Sequence, residues 1–414
     1  MSVDNKVPEI RFEGFSGEWV ENNLGELIDI RSAARVHKEQ WTEAGVPFFR
    51  TSDVVSIYKG QENTKVYISH EVYNSLSEKI GKVAKDDLLI TGGGSIGIPY
   101  LVPNDNPLYF KDADLLWLKN NKKFNGYFLY TFFFSECFKK HIKSISHTGT
   151  IAHYTIEQAK ATPINTCNDE EQTQIGNYFQ KLDALINQHQ QKHNKLSNVK
   201  KAMLEKMFPK KGETMPEIRF KGFSGEWESK ALGSISSFYK GKGLPKSSIQ
   251  EYGVYPCIHY GELFTKYSEV IEVVTSRTNQ KDNFVSISND ILMPTSDVTP
   301  KGLVKSCCVK QSGIILGGDI LVIRPNDQNI INGAFLSRFI RTREQQVLQN
   351  VTGSTVFHLY ASSIEDLDIV FPSIKEQTSI SSYFHKLDSL IKQHQQQITK
   401  LNNIKQACLS KMFI

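Results

Sequence analysis

Residues 8–19 read PEIRFEGFSGEW and residues 216–227 read PEIRFKGFSGEW, so only Glu13 and Lys221 differ. A Leu-Gly pair follows each segment, Leu24-Gly25 and Leu232-Gly233. A second match comes later. Residues 171–208, EQTQIGNYFQKLDALINQHQQKHNKLSNVKKAMLEKMF, align with 376–413, EQTSISSYFHKLDSLIKQHQQQITKLNNIKQACLSKMF, at well over half of the positions. The offsets are 208 and 205 residues, so the halves have nearly equal length. Chance does not produce matches this long, and the chain is a tandem duplication.

The segments between the matches differ. Residues 30–165 and 238–372 share only fragments, such as Asp87-Leu88-Leu89 against Asp290-Ile291-Leu292. An architecture with two related supports and two distinct readers produces such a pattern.

The matched 38-residue segments predict long helices, because they lack proline, lack glycine after Gly176 and repeat apolar residues at heptad spacing. The stripe runs through Ile175, Phe179, Leu182, Leu185, His189 and Leu196 in the first copy. In the second it runs through Ile380, Phe384, Leu387, Leu390, His394 and Leu401. Such helices would be roughly 50–57 Å long. Neither stripe is stable in water, so the helices are expected to pack as an antiparallel coiled coil about a pseudo-twofold. His189 and His394 would then form a polar layer that fixes register. The alternative is a helix lying on its own domain. His189 and His193 have the i, i+4 spacing of metal ligands, but Ile398 replaces the second in the other copy, so no metal is expected.

The expected fold class is α+β (mixed). Two globular α/β domains, 1–168 and 210–373, would be joined by long helices at 169–209 and 374–414. With 414 residues, 39% hydrophobic and 22% charged, the chain is long enough for several cores and too apolar for disorder. The most apolar run, Tyr127 to Phe134, is too short to span a bilayer. The N-terminus shows no signal-peptide core, and the six cysteines form no C-x-x-C pair, as in reduced thiols. A cytoplasmic location without membrane attachment is expected. Net charge is +5 overall, while residues 170–211 and 375–412 each carry +4. Two readings stand: a solvated lysine face, or a strip facing phosphates.

Catalytic motifs do not hold up. Gly92, Gly94 and Gly97 satisfy G-x-G-x-x-G, but Ile98-Pro99-Tyr100-Leu101-Val102-Pro103 follows and reads as a strand. A dinucleotide site needs a helix there. Asn106-Pro107-Leu108-Tyr109 approximates the NPPY tetrapeptide of amino-methyltransferases but has leucine for the second proline and no methyl-donor loop. No P-loop, nucleophile elbow or H-E-x-x-H is evident.

Polar and basic loop residues are candidate DNA contacts, because Arg and Lys reach guanine edges while Ser, Thr, His and Asp add hydrogen-bond readout. In the first variable region they are Arg31, Arg35, Lys38, Arg50, Ser52, Asp53, Thr91 and Ser95. In the second they are Lys240, Lys242, Lys246, His259, Tyr260, Thr295, Ser296 and Lys301. Each could equally be an ordinary loop residue.

Over its whole length the chain resembles the specificity subunit of a type I restriction–modification enzyme. The resemblance rests on Glu18-Trp19 and Glu226-Trp227 with their Leu-Gly pairs, on the Gly-Ser-Thr-Val-Phe-His-Leu segment at 353–359, more loosely on 149–154, and on both E-Q-x-x-I…Y-F-x-K-L-D…L-x-K-M-F helices. It implies a non-catalytic subunit of a DNA adenine methyltransferase and restriction endonuclease complex. Each variable domain would read one half of an asymmetric double-stranded DNA target. The helices would set the gap and bind two methyltransferase subunits. Those would hold S-adenosylmethionine, and separate restriction or motor subunits would use ATP and magnesium. Two other readings are a coiled-coil adaptor that binds only proteins and a standalone methyltransferase or nuclease.

Overall fold

The computed structural model describes residues 6–145, 153–281 and 284–414. It divides into two compact units, Met1–Gln190 with Gln395–Ile414, and Gln191–His394. The division falls inside the long helices, Asp169–Lys206 and Ile374–Lys411. Each unit therefore holds one variable domain, the start of one long helix and the end of the other.

In the first unit, strands Asp29–Arg31, Leu115–Lys119, Leu88–Thr91 and Pro99–Leu101 form an antiparallel sheet in that order. A second sheet joins Trp41–Thr42, Tyr67–Ile68, Val46–Phe49 and Tyr109–Phe110. The Gly92–Gly97 segment is the turn of a hairpin, since Leu88–Thr91 pairs antiparallel with Pro99–Leu101. The second unit has a five-stranded sheet, ordered Ser236–Lys240, Ile320–Pro325, Ile291–Pro294, Cys307–Val309 and Val270–Ile271. A three-stranded sheet is built on Tyr255–Ile258.

The duplicated segments build the same joint in both units. Arg11 grips Glu171 through two bonds of 2.6 and 2.7 Å and donates to the Gly17 carbonyl at 2.6 Å. Arg219 grips Glu376 at 2.6 and 2.7 Å and donates to the Gly225 carbonyl. Both carboxylates are buried, so a bidentate guanidinium is what makes them tolerable there. Gly17 and Gly225 have φ of 85° and 83°, the left-handed region that turns each carbonyl toward the arginine. Trp19 and Trp227 are buried beside them, edge-on to Phe128 and Phe335. Backbone bonds Ile10 N to Lys411 O and Ile218 N to Lys206 O tie each opening segment to the end of a long helix.

Within each unit the helix segments run antiparallel. Asp183 meets Lys405 at 2.5 Å and Tyr178 meets Cys408 at 3.7 Å, so numbers rise along one helix as they fall along the other. In the second unit Lys200 meets Asp388 at 2.6 Å. The mixed α and β content and the long helices match the expected fold class.

The apolar stripe is narrower than its heptad description. Ile175, Phe179 and Leu182 are buried, as are Ile380, Phe384 and Leu387. Leu185 and Leu390 are instead exposed, at 44% and 43%. At about 100° per residue, Leu185 lies about 80° round from Ile175, at the edge of the face that meets the domain. Leu196, Leu401, His189 and His394 are half-buried. No helix of the described residues is long and apolar enough to cross a membrane.

Candidate nucleic-acid interface

One backbone frame recurs in the two units with different side chains on it. In the second unit, strand Ile291–Pro294 delivers Thr295, whose amide donates to Asp319 O at 3.0 Å and whose carbonyl accepts from Leu359 N at 3.0 Å. Ser296 then pairs with His358 in a short antiparallel ladder. In the first unit, strand Leu88–Thr91 delivers Gly92, whose amide donates to Asp114 O and whose carbonyl accepts from Tyr154 N, both at 2.8 Å. Gly93 then bridges to His153. Thr295, Ser296 and His358 thus match Gly92, Gly93 and His153. The segment 149–154 lies outside the described residues as far as 152.

In the second unit this frame opens a cleft of about 490 Å3, lined by Tyr239, Lys240, Thr295, Ser296, His358 and Tyr360 among others. Tyr360 is 56% exposed, and its ring lies 6.2 Å from that of His358 in near-parallel orientation. Tyr239 is held from behind. Arg324 pairs with Asp290 through two bonds of 2.8 Å and sits 4.8 Å from the Tyr239 ring. The bond to Asp290 raises the Arg324 pKa, so the cation under the ring is permanent. Lys240 and Lys242 are exposed, with no carboxylate in ion-pair reach among the described residues. Residues 353–356 form the exposed tip of a hairpin closed by reciprocal Thr352–His358 bonds of 3.0 and 2.7 Å. The cleft therefore offers one lysine, hydroxyls, an imidazole and exposed tyrosines, with Asp319 also in its lining, which is equipment for base-edge contact with one cation for a phosphate.

The sequence candidates separate in the structure. Lys240, Thr295 and Ser296 come together in the cleft. Lys242 and Lys246 are exposed in the loop after Ser236–Lys240. Lys301 is exposed, 3.8 Å from Glu344. His259 and Tyr260 lie outside the cleft lining. The His259 amide donates to Glu262 at 3.0 Å and its Nδ1 accepts from Gly261 N at 3.1 Å, so it holds the turn that leads into the Glu262–Thr265 helix.

In the first unit, Thr91 is fully buried. Its hydroxyl donates to Ser95 O and accepts from Ile98 N, so it shapes the hairpin and is not placed for contact with a ligand. Asp53 is buried as well and anchors Arg50, which spans Asp53 at 2.8 and 3.1 Å and Thr64 O at 2.5 Å. Both hold the start of the Thr51–Lys59 helix, and a base would have to compete with those bonds for the guanidinium. Ser52, Ser95, Arg35 and Lys38 are exposed, and Arg31 is exposed beside Asp29. Sequence reading did not single out His358, Tyr360 or His153 as contacts. The available signal is the Phe-His-Leu run at 357–359 with Tyr360 beside it.

The family model for the type I restriction modification DNA specificity domain matches residues 16–198 and 224–403. The chain belongs to this family. Both matches cover a variable region and most of the long helix after it, so the duplication seen in the residues is a duplication of the specificity domain. The chain is also 27% identical over 167 residues to a Haemophilus influenzae protein assigned as a type I restriction enzyme specificity subunit. That match spans 40% of each chain. In fold it resembles the crystal structure of the type I restriction-modification system S subunit from M. genitalium, with a TM-score of 0.63, 15% identity and 99% of both chains covered.

Proposed function

We propose that this specificity-domain chain reads double-stranded DNA for a type I restriction–modification complex. Each unit reads one half of an asymmetric, two-part target. The long helices set the gap and dock two methyltransferase subunits, which would carry S-adenosylmethionine. ATP and magnesium would serve separate restriction or motor subunits. The supporting observation is the shared frame with partly unlike surfaces: Thr295 and Ser296 in one unit, Gly92 and Gly93 in the other, each beside a histidine common to both, His358 and His153. Two different readers on one support specify two different half-sites. Identical readers about a twofold would require a palindrome.

Sequencing the methylated sites of a host with and without this gene tests the reading. The expected loss is of one family of asymmetric, gapped sites. Loss of palindromic sites alone, or of none, rejects it. Tyr360→Ala or Lys240→Gln in the assembled complex should relax one half-site by about 1–3 kcal/mol per base contact and leave the other half unchanged. Four residues inserted near Gln190 lengthen the helix by about 6 Å and should widen the gap by one or two base pairs without altering either half-site. Altered half-site bases would show that the helices are not the ruler.

A further inference from the structure

The second unit holds another cavity, of about 920 Å3, where the end of the first long helix meets the 333–348 helical segment. Its lining includes Lys201, Lys210, Lys211, Arg338, Arg341 and Arg343. Three glutamates are present, but two are already engaged. Glu269 is paired with Lys200 at 2.8 Å and faces Arg341 at 3.7 Å, and Glu344 faces Lys301 at 3.8 Å. The cavity is left with a surplus of positive charge.

Arg338 is the telling residue. It is 1% exposed, and only its Nη2 is spent, on Asp388 at 2.8 Å. Its Nε and Nη1 have no hydrogen-bond partner among the described residues. A buried guanidinium with open donors calls for an oxyanion, because a fork of N–H groups matches phosphate geometry. Arg343 is buried over the Phe339 ring and donates to Pro209 O at 2.9 Å; burial lowers its pKa, which an arriving anion would reverse. The first unit carries different residues at the matching helix positions. Registering the helices on their caps, Asn125 and Asn332, puts Thr131, Phe134 and Glu136 opposite Arg338, Arg341 and Arg343.

We propose that this cavity is a phosphate-binding site of the second unit, filled by a phosphate of the DNA backbone or by free phosphate, and separate from the base-reading cleft. Lys301 in the 300–304 turn touches the cavity rim at Glu344, and that turn also packs on the 296–297 and 357–358 strands of the cleft. A backbone leaving the cleft could continue along this path. The duplex version rests on the DNA-reading proposal, and the free-phosphate version does not.

The test uses the full chain. One variant combines Lys201→Gln, Lys210→Gln and Lys211→Gln, exposed positions whose loss leaves the fold intact. A second is Arg341→Gln. Calorimetric titration with inorganic phosphate at fixed ionic strength should show binding that weakens at least about 5-fold in both variants. A duplex without the target site should also bind more weakly, with the salt slope reduced by about one for each phosphate contact removed. Selectivity between target and non-target duplex should stay the same. An effect in the inorganic arm only assigns the site to free phosphate, and an effect in the duplex arm assigns it to the backbone. Unchanged affinity in both arms overturns the proposal, and so does altered base selectivity. If Tyr360→Ala leaves selectivity intact while phosphate binding persists, the base-reading assignment fails and this one stands.

Discussion

Asp183 and Asp388 occupy matching positions on the long helices, and each meets a matching lysine, Lys405 at 2.5 Å and Lys200 at 2.6 Å. The second donor to each carboxylate comes from the variable domain and differs. In the first unit it is the Tyr127 hydroxyl at 2.7 Å, and Lys405 lies 5.6 Å from the Phe134 ring. In the second unit it is Arg338 at 2.8 Å, and Lys200 is shared with Glu269. Burial and the bond to Asp183 both raise the Tyr127 pKa, so that link is a neutral hydroxyl on a carboxylate. The other is one knot in a network of buried charges. A scaffold that supplies Asp and Lys accepts either closure, provided the carboxylate gets two donors. That freedom lets unrelated surfaces be mounted on one pair of helices.

The sharpest way to break this comparison is to remove the carboxylates one at a time. Asp388→Ala strands Arg338, which is 1% exposed, and should destabilise the second unit by about 3–5 kcal/mol. Asp183→Ala strands a neutral phenol and a lysine whose side chain is 18% exposed, and should cost the first unit about 1–3 kcal/mol. Urea unfolding followed by amide exchange in each unit measures both. Equal losses would mean that the difference in donor charge carries no energetic weight.

Acid should separate the units next. Burial pushes the Glu269 carboxyl up, but Arg341, Lys200 and Arg338 outweigh it and hold its pKa at about 2, against an ordinary 4.5. A depressed carboxyl pKa means stability that is complete above the ordinary value and is lost as pH falls toward the folded value. The second unit should therefore lose up to about 3 kcal/mol between roughly pH 4.5 and 2. Among the described residues, Lys405, the match of Lys200, is ion-paired with Asp183 only and otherwise lies 5.6 Å from the Phe134 ring. Glu269→Gln should flatten the acid limb of the second unit alone. Parallel acid loss in both units would contradict the contrast.

The duplication made the helices and their joints legible in the sequence, since period and identity survive any tertiary context. Arg11 with Glu171, and Trp19 with Phe128, are contacts made by residues inside the matched segments or directed at them. The compact units were hidden, because each borrows the end of the other copy's helix, and a linear reading assigns a helix to its own repeat. The interface was half-legible. Lys240, Thr295 and Ser296 are polar residues near strand ends, a pattern visible in sequence. Thr91 and Asp53 have the same polarity but spend it internally on the backbone and on Arg50, and only coordinates reveal that. The open donors of Arg338 are not legible in the sequence, because an arginine inside an apolar helix gives no sign of which donors stay open.

The smallest expected effect is at a helix position that recurs in both units. Leu185 and Leu390 hold matching positions with nearly equal exposure, 44% and 43%, although the domains behind them differ. Changing either to Gln alters an apolar side chain that is nearly half exposed, so stability should move by no more than about 1 kcal/mol. Binding should respond more. If the helices dock two copies of one methyltransferase subunit, each leucine offers the same foothold to one copy. Leu185→Gln alone should leave a complex with a single firmly bound partner, and so should Leu390→Gln. The double variant should lose both partners while keeping its fold. Native mass measurement of the assembled complex counts the partners directly. A single variant that releases both copies at once would show that the two sites are coupled, and one that releases neither would place the docking surface elsewhere on the helices. In the second case the equality of the two leucines would be a consequence of the duplication alone.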